Sequence, residues 1–376
     1  MTTAPALDGS TVLELTSGLS GAYCGRLLAM LGADVIKIEC AARPDEARAA
    51  GTGADRFLHA QKRSVELDIT TGPGRSLFER LAAGADVVID DGALGAAPAV
   101  HGRYEELRAA NRRLVVVALT PFGLDGPRAG WQASELIELA AGGWLPTGPH
   151  GGPPLMPGSQ CARYGVGTFA ALGALLALAA RRRTGEGQLV DVSRNEALVH
   201  LLPAPTVFFS FAGLELPRLG DEFPFAIYPC ADSYLGVSIL TQGHWTGLCR
   251  LMGRTDLMDH PRYRTGVERA DPAVAAEIDA IIAEWIADQP AHETFHRAQA
   301  MRVPITIVAS PTDVLASRQY EARDYWVDYD DAELGPLRLP KTPFRLASAA
   351  FAPFRPAPRP GADSDDVVAA VEAVEA

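Results

Sequence analysis

Between Val12 and Leu119, short apolar runs alternate with segments of helical periodicity, and that alternation limits the fold more than any other feature. The runs are Val12–Leu15, Ala33–Glu39 (ADVIKIE), Arg63–Asp68 (RSVELD), Asp86–Asp90 (DVVID) and Leu114–Leu119 (LVVVAL). Between them, Tyr23–Leu31, Gly74–Ala83 and Tyr104–Ala110 space their apolar residues as helices do, and Gly32 stops the first. Strands separated by helices pair in parallel through right-handed crossovers. The chain is therefore predicted to open with a Rossmann-like α/β lobe. The glycines of Ser17–Gly25 (SGLSGAYCG) are not at the GxGxxG spacing, so neither a nicotinamide nor a flavin dinucleotide is expected.

Pro121–Gly130 and Gly148–Gly158 read as loops, with a short helix at Ser134–Ala141 between them. A long helix, Gly165–Arg183, is followed by a turn, the strand Gln188–Val192 and a further helix starting at Ser193. From Phe223 the texture changes. Ala226–Cys230 and Tyr234–Leu240 form a predicted hairpin. Helices follow at Trp245–Met252, Ala273–Ala287 and Ala291–Ala300, then a strand at Ile305–Ala309. The expected organisation is a large Rossmann-like domain over 1–203, a linker over 204–224, a smaller α+β domain over 225–325, and a linker with a C-terminal return over 326–376. Pro353–Pro360 is predicted to be extended. The last helix, Asp365–Ala376, is expected to pack back on the first lobe or lie loose.

A formal charge of −12 argues against a general nucleic-acid or anionic-membrane binder, while leaving room for an anion in a local basic pocket. Met1–Gly9 shows neither a basic nor an apolar region of a signal peptide. Val166–Ala180, broken by Gly167 and Gly173, reads as a buried helix rather than a membrane span. The five cysteines are scattered with no CxxC, which points to free thiols in a reducing cytoplasm and against a disulfide framework or a metal site.

Several stretches together resemble the family III CoA-transferases, the group of formyl-CoA and carnitine CoA-transferases and α-methylacyl-CoA racemase. They are LDGSTVLELT at Leu7–Thr16, GAYCGRLLAMLGADVIKIE at Gly21–Glu39, QKRSVELDI at Gln61–Ile69, FGLDGPRAG at Phe122–Gly130 and RTGEGQLVDVS at Arg183–Ser193. YPCADSYLGVSI at Tyr228–Ile239 and VPITIV from Val303 continue the match through the second half. The resemblance implies an interlocked ring-like dimer, with linkers near 203–224 and 326–350 closing the ring. It also implies a CoA thioester bound where lobes and subunits meet.

By the same resemblance, Lys37, Lys62 and Arg63 are expected near the adenosine phosphates of CoA, which cations and backbone amides hold. An arginine that many members carry after the fourth strand is absent from Asp91–Val100 (DGALGAAPAV). The decisive departure comes next. The family's nucleophilic aspartate, which attacks the thioester to form a mixed anhydride and then an aspartyl-CoA thioester, aligns with Arg163, or with Ala162 if the loop slips by one. No aspartate occurs between Asp125 and Asp191. Arginine stays protonated and offers no lone pair for attack, but it can hold a carboxylate in a fork or stabilise an oxyanion. Glu135 matches an acidic position lining the transferase site and is the expected base or orienting group. His244 falls where the family places a mobile loop over the thioester and is a candidate acid–base. Cys161 is a lesser candidate nucleophile. The histidine of the racemases would fall within Trp131–Glu135 and is missing; His101 and His150 match no family position.

The expectation is an enzyme of CoA-transferase type acting on CoA or acyl-CoA by a non-standard mechanism. The alternatives are a non-catalytic subunit of a heteromeric transferase and an acyl-CoA or carboxylate binding protein. A homodimer is expected, or a heterodimer with an aspartate-bearing paralogue, with no nucleic-acid or membrane partner.

Overall fold

The computed structural model describes residues 4–375 apart from 96, 98, 146–152, 159, 214 and 216–220; the predicted loop around His150 lies outside the described residues. The chain divides into two compact units. One comprises Met1–Leu145, Met156–Gly213 and Arg323–Ala376, and the other Pro146–Leu155 and Leu214–Ala322.

The first unit is a doubly wound α/β layer structure. Its elements run β1 (Thr11–Leu15), α1 (Leu19–Met30), β2 (Asp34–Glu39), α2 (Glu46–Ala50), α3 (Gly53–His59), β3 (Arg63–Glu66), α4 (Gly72–Gly84), β4 (Val87–Asp90), α5 (His101–Ala110), β5 (Val115–Thr120), α6 (Glu135–Ala141), α7 (Cys161–Thr184), β6 (Leu189–Ser193), α8 (Arg194–Leu201) and α9 (Pro203–Ala212). The strands form one parallel sheet in the order β3-β2-β1-β4-β5-β6. The period-two alternation of strand side chains splits the core between two faces. Val12, Val87, Ile89, Val115 and Val117 meet α1, α7 and α8 on one side. Leu13, Val88, Val116 and Ala118 meet α4 and α5 on the other.

At α7 the sequence and the structure differ in a way that matters for function. The helix begins at Cys161 rather than Gly165, so Arg163 lies in its first turn. Its length and composition would suit a membrane span, but Ala162, Val166, Ala170, Ala174 and Ala177 are buried in the core. Gly167 allows the close approach to α1. A Cβ there would stand 2.5 Å from the carbonyl oxygen of Ser20.

In the second unit, β7 (Asp221–Glu222), β8 (Phe225–Pro229), β9 (Tyr234–Ser238) and β10 (Ile305–Ile307) form an antiparallel sheet in the order β10-β9-β8-β7. Helices α10 (Gln242–Leu251), α11 (Gly266–Arg269), α12 (Pro272–Ile286) and α13 (Ala291–Ala300) join it around Trp245, Leu248, Ile278 and Ile282, and the short α14 (Pro311–Leu315) and α15 (Arg318–Ala322) end the unit.

The chain then returns to the first unit. It makes an antiparallel hairpin, β11 (Trp326–Asp331) and β12 (Gly335–Pro340), and an extended segment before α16 (Ser364–Glu375). Where sequence analysis expects linkers, the structure thus has α9 and this hairpin. The last helix packs back rather than lying loose. Val367 enters the core, and Asp363 and Ser364 accept hydrogen bonds from the backbone N–H groups of Ser64 and Glu66, capping the sheet's β3 edge.

Candidate active site

In an open parallel sheet, the crevice at the C-terminal ends of the strands opens where the strand order reverses. Here that point lies between β1 and β4. Ser17 and Gly18 leave β1 there, and Asp91 leaves β4. The Asp91 carboxylate accepts from the N–H of Ser17 (3.0 Å) and of Gly18 (2.8 Å) at the start of α1, where the helix dipole favours an anion. Arg43 closes the cluster with an ion pair to Asp91 at 2.9 Å.

Arg163 belongs to this edge. A Cβ on Gly18 would lie 3.1 Å from the Asp91 carboxylate and 3.8 Å from the Arg163 guanidinium. The hydroxyl of Ser20 donates to the Arg163 carbonyl, tying α7 to α1. Arg163 pairs with Glu46 of α2 at 2.7 Å, and Glu46 is half exposed. Burial opposes the charge on Arg163, but Glu46, Glu135 and Glu138 outweigh it and hold its pKa above the ordinary value. Glu138 is one turn beyond Glu135 on α6, buried, and paired with Arg194 at 2.8 Å. Burial raises the Glu138 carboxyl, with Arg194 and Arg163 pulling the other way. Among the described residues Glu135 makes no ion pair, which leaves it the available carboxylate beside Arg163. Glu135 is near enough to Arg163 for their charges to interact, and Arg43, Glu46, Asp91, Glu138 and Arg194 border the same edge. The i, i+3 spacing of Glu135 and Glu138 is the signal that sequence reasoning passed over. The other four meet only through the packing of distant segments.

His244 belongs to the second unit. It is the third residue of α10, half-buried, and its Nδ1 accepts from the N–H of Leu240 at 3.3 Å. Cys161 is exposed at the start of α7.

The three expected phosphate contacts are corrected by their surroundings. Lys37 is 1% exposed; its ammonium donates to the Thr16 carbonyl at 2.7 Å and pairs with Glu14 and Asp45 at 3.2 and 2.9 Å. Lys62 is fully buried, 2.7 Å from Glu14 and 2.8 Å from the Ala22 carbonyl. Neither ammonium reaches a phosphate outside the protein, because each neutralises a buried acid. Arg63 stands at the start of β3 and pairs with Asp34 at the start of β2, on the sheet edge opposite the crevice. Burial lowers the Lys62 ammonium to about 8 against the pull of Glu14. Burial also lowers His59 to about 3, so the ring beside Asp45 is neutral. Gly25 of α1 completes the arrangement: a Cβ there would be within bonding distance of the Glu14 carboxylate.

Among the described residues no group of three His, Cys, Asp or Glu side chains is set to hold a metal.

The model of CoA-transferase family III matches residues 7–364. The chain belongs to CoA-transferase family III. Its relatives are named CoA-transferases, which supports a CoA-transferase-like enzyme. It is 34% identical over 373 residues to the probable CoA-transferase Rv1866 of Mycobacterium tuberculosis, across 94% of this chain and 46% of that protein, so it spans about half of that relative's length. It is 30% identical to the BbsE subunit of succinyl-CoA:(R)-benzylsuccinate CoA-transferase of Thauera aromatica, across 95% of this chain and 92% of that subunit. Among solved structures it resembles a CAIB/BAIF family protein from Brucella suis, with a TM-score of 0.86, 26% identity, and coverage of 98% of this chain and 100% of that one. The six-stranded parallel lobe with a separate antiparallel sheet is thus the fold that sequence analysis anticipated.

Two outcomes follow from these charges. Lys62→Met leaves Glu14 with too little positive charge in an apolar interior and is expected to lower stability by about 3–5 kcal/mol. Urea denaturation measures this; an unchanged midpoint with weakened CoA binding would return Lys62 to the ligand site. Asp90, at the end of β4, is raised to about 6 by burial and by Asp91, against the hydrogen bonds from Tyr104, Ala93 and Leu94. A raised acid makes the folded state the better proton binder between about pH 4, the unfolded value, and about pH 6. Its contribution to stability therefore falls as pH rises through that window and is lowest above it. Melting temperatures of Asp90→Asn and the parent should diverge in the variant's favour from pH 4 to pH 7, and a constant difference would contradict this.

Proposed function

We propose that this protein moves CoA between carboxylic acids without forming an acyl-enzyme, with Arg163 presenting the acceptor carboxylate where the family's aspartate would stand. The observation that carries the reading is the guanidinium itself. It sits in the first turn of α7 at the switch-point edge, in a segment with no aspartate from 126 to 190. Its partner Glu46 is half exposed. Such a pair is worth about 1 kcal/mol or less, so a substrate carboxylate can displace it.

Held through one oxygen, the acceptor carboxylate keeps the other free to attack the thioester carbonyl carbon. The C–S bond breaks, CoA leaves as thiolate, and the two acids are joined as a mixed anhydride. The thiolate then attacks the acceptor's carbonyl carbon, the anhydride C–O bond breaks, and the donor leaves as carboxylate. No net proton is consumed. Arg163 stabilises the oxyanion at each addition, and Glu135 orients the guanidinium. His244 is a candidate acid–base group on the family resemblance alone, and this exchange calls for no proton transfer from it. For the nucleotide end of CoA, a cavity of about 270 Å³ between α4 and α5 offers apolar walls at Ile69, Phe78 and Leu94; Arg75 and Arg103 line it with Glu79 and Glu106, and Glu106 pairs with Arg103 at 3.2 Å. Ile69 and Leu94 follow β3 and β4, on the crevice edge.

A second reading, the non-catalytic subunit of a heteromeric transferase, draws support from the relative that is itself named as a subunit. A soluble cytoplasmic dimer is proposed in either case. Helix α9 leaves apolar side chains exposed around it, Val207 at 63%, Phe209 at 54% and Phe211 at 89%, which favours cover by a second chain.

Initial-rate kinetics with succinyl-CoA and a short monocarboxylic acid test the mechanism. The expected pattern is sequential. Arg163→Gln should raise KM for the acid roughly ten- to hundredfold, and Arg163→Asp should convert the pattern to ping-pong. Turnover only after addition of an aspartate-bearing paralogue would establish the subunit reading, and absence of any CoA binding would sink both. Light scattering should give about twice the chain mass of 39.9 kDa for the protein alone; a monomeric mass would remove the homodimer.

A further inference from the structure

Arg26 is a buried cation without an anion. It lies on α1, 1% exposed. Its Nη1 donates to the Ala60 carbonyl at 2.9 Å and to the side-chain oxygen of Gln61, and its guanidinium lies 5.5 Å from the centre of the Phe57 ring. Its Nε is buried and has no hydrogen-bond partner. Among the described residues no carboxylate pairs with it. Other buried cations of the unit are matched: Lys37 and Lys62 by Glu14, and Arg181 by Asp86. Burial lowers the Arg26 guanidinium to about 10, which still leaves it charged at neutral pH. An isolated charge in an apolar interior is costly, so the missing counter-ion calls for an explanation.

The same side chain lines a cavity of about 160 Å³. Met30, Val327, Pro340, Phe351 and Phe354 give it apolar walls, contributed by α1, the β11–β12 hairpin and the C-terminal return. Lys341, also in the lining, is occupied by Asp324 at 2.8 Å. The wall is fastened in place. Gln61 donates from its side chain to the carbonyls of Ala352 and Pro353 at 2.9 and 3.0 Å, and Ala352 donates to the Met30 carbonyl. With its side-chain oxygen taken by Arg26, Gln61 has no charge to offer. A cavity of this size holds a benzene-sized body.

We propose that this cavity binds a small monocarboxylic acid with a compact apolar body, of benzoate size, whose carboxylate accepts from Arg26 and neutralises it. The site is separate from the switch-point crevice: Arg26 lies eight residues beyond Gly18, roughly 12 Å of helix rise. A bound acid would clamp the hairpin and the C-terminal return onto α1, which makes the site a place where an acid acts on the protein without being its substrate.

The probe is 4-fluorobenzoate, followed by fluorine NMR on the full chain without CoA. Saturable binding is expected, retained in Arg163→Ala and weakened roughly tenfold or more in Arg26→Met. Val327→Trp fills the cavity from the hairpin and leaves Arg26 in place, so it decides the matter where Arg26→Met fails to fold; it too should lose binding. The uncharged benzyl alcohol should compete poorly. The proposal is overturned by absence of saturable binding to the parent protein, by binding that survives Val327→Trp, or by binding lost in Arg163→Ala alone, which would put the acid in the crevice.

Discussion

Glu14 places a carboxylate on the α1 face of the central strand β1, inside an otherwise apolar layer, and much of the first unit is arranged to neutralise it. Burial raises a carboxyl's pKa; here Lys62 and Lys37 outweigh it, and Glu14 is held below its ordinary range. Lys37 arrives from β2 and Lys62 from the turn before β3, while Gly25 clears the space on α1. With His59 neutral, Glu14 and Asp45 balance the two ammoniums. The cluster does more than cancel charge. Lys37 also grips the Thr16 carbonyl, and Asp45 caps α2 through the N–H groups of Ala47 and Arg48. Those contacts fix the loop that presents Ser17 and Gly18, and the helix that presents Glu46 to Arg163. Buried ion pairs contribute little net stability but are costly to break, so the cluster holds the crevice in one geometry.

That geometry bears on the proposed role of Arg163. A nucleophilic aspartate in the first turn of α7 would need a neighbourhood that leaves it free. Arg163 instead sits among carboxylates, of which Asp91 is held by two backbone N–H groups and Arg43, Glu46 by Arg163, and Glu138 by Arg194. None of these three is free to attack a thioester. A site so organised favours recognising a carboxylate over supplying one, and the exposed Glu46 is the group a substrate most readily replaces.

The alternation from Val12 to Leu119 determined the parallel sheet and its helical layers, because strand and helix periods are local properties of the chain. Glu135 and Arg163 could be singled out in the sequence, since each stands at a fixed distance from a recognisable segment; their roles remain proposals. The hairpin Trp326–Pro340 and helix α9 were missed, because these stretches were assigned as linkers from the family resemblance and not from their own periodicity. Lys37, Lys62 and Arg63 were misread for a different reason: a basic residue looks the same in sequence whether it faces solvent or a buried acid. Only the tertiary structure put Glu14 beside both lysines, turned Arg63 to the far edge, gathered Asp91, Arg43, Glu46 and Arg194 around Arg163, and left Arg26 over a cavity with no acid. Local pattern sets the elements, but the partner of a charge is chosen by which distant segments pack together, and that choice is made in three dimensions.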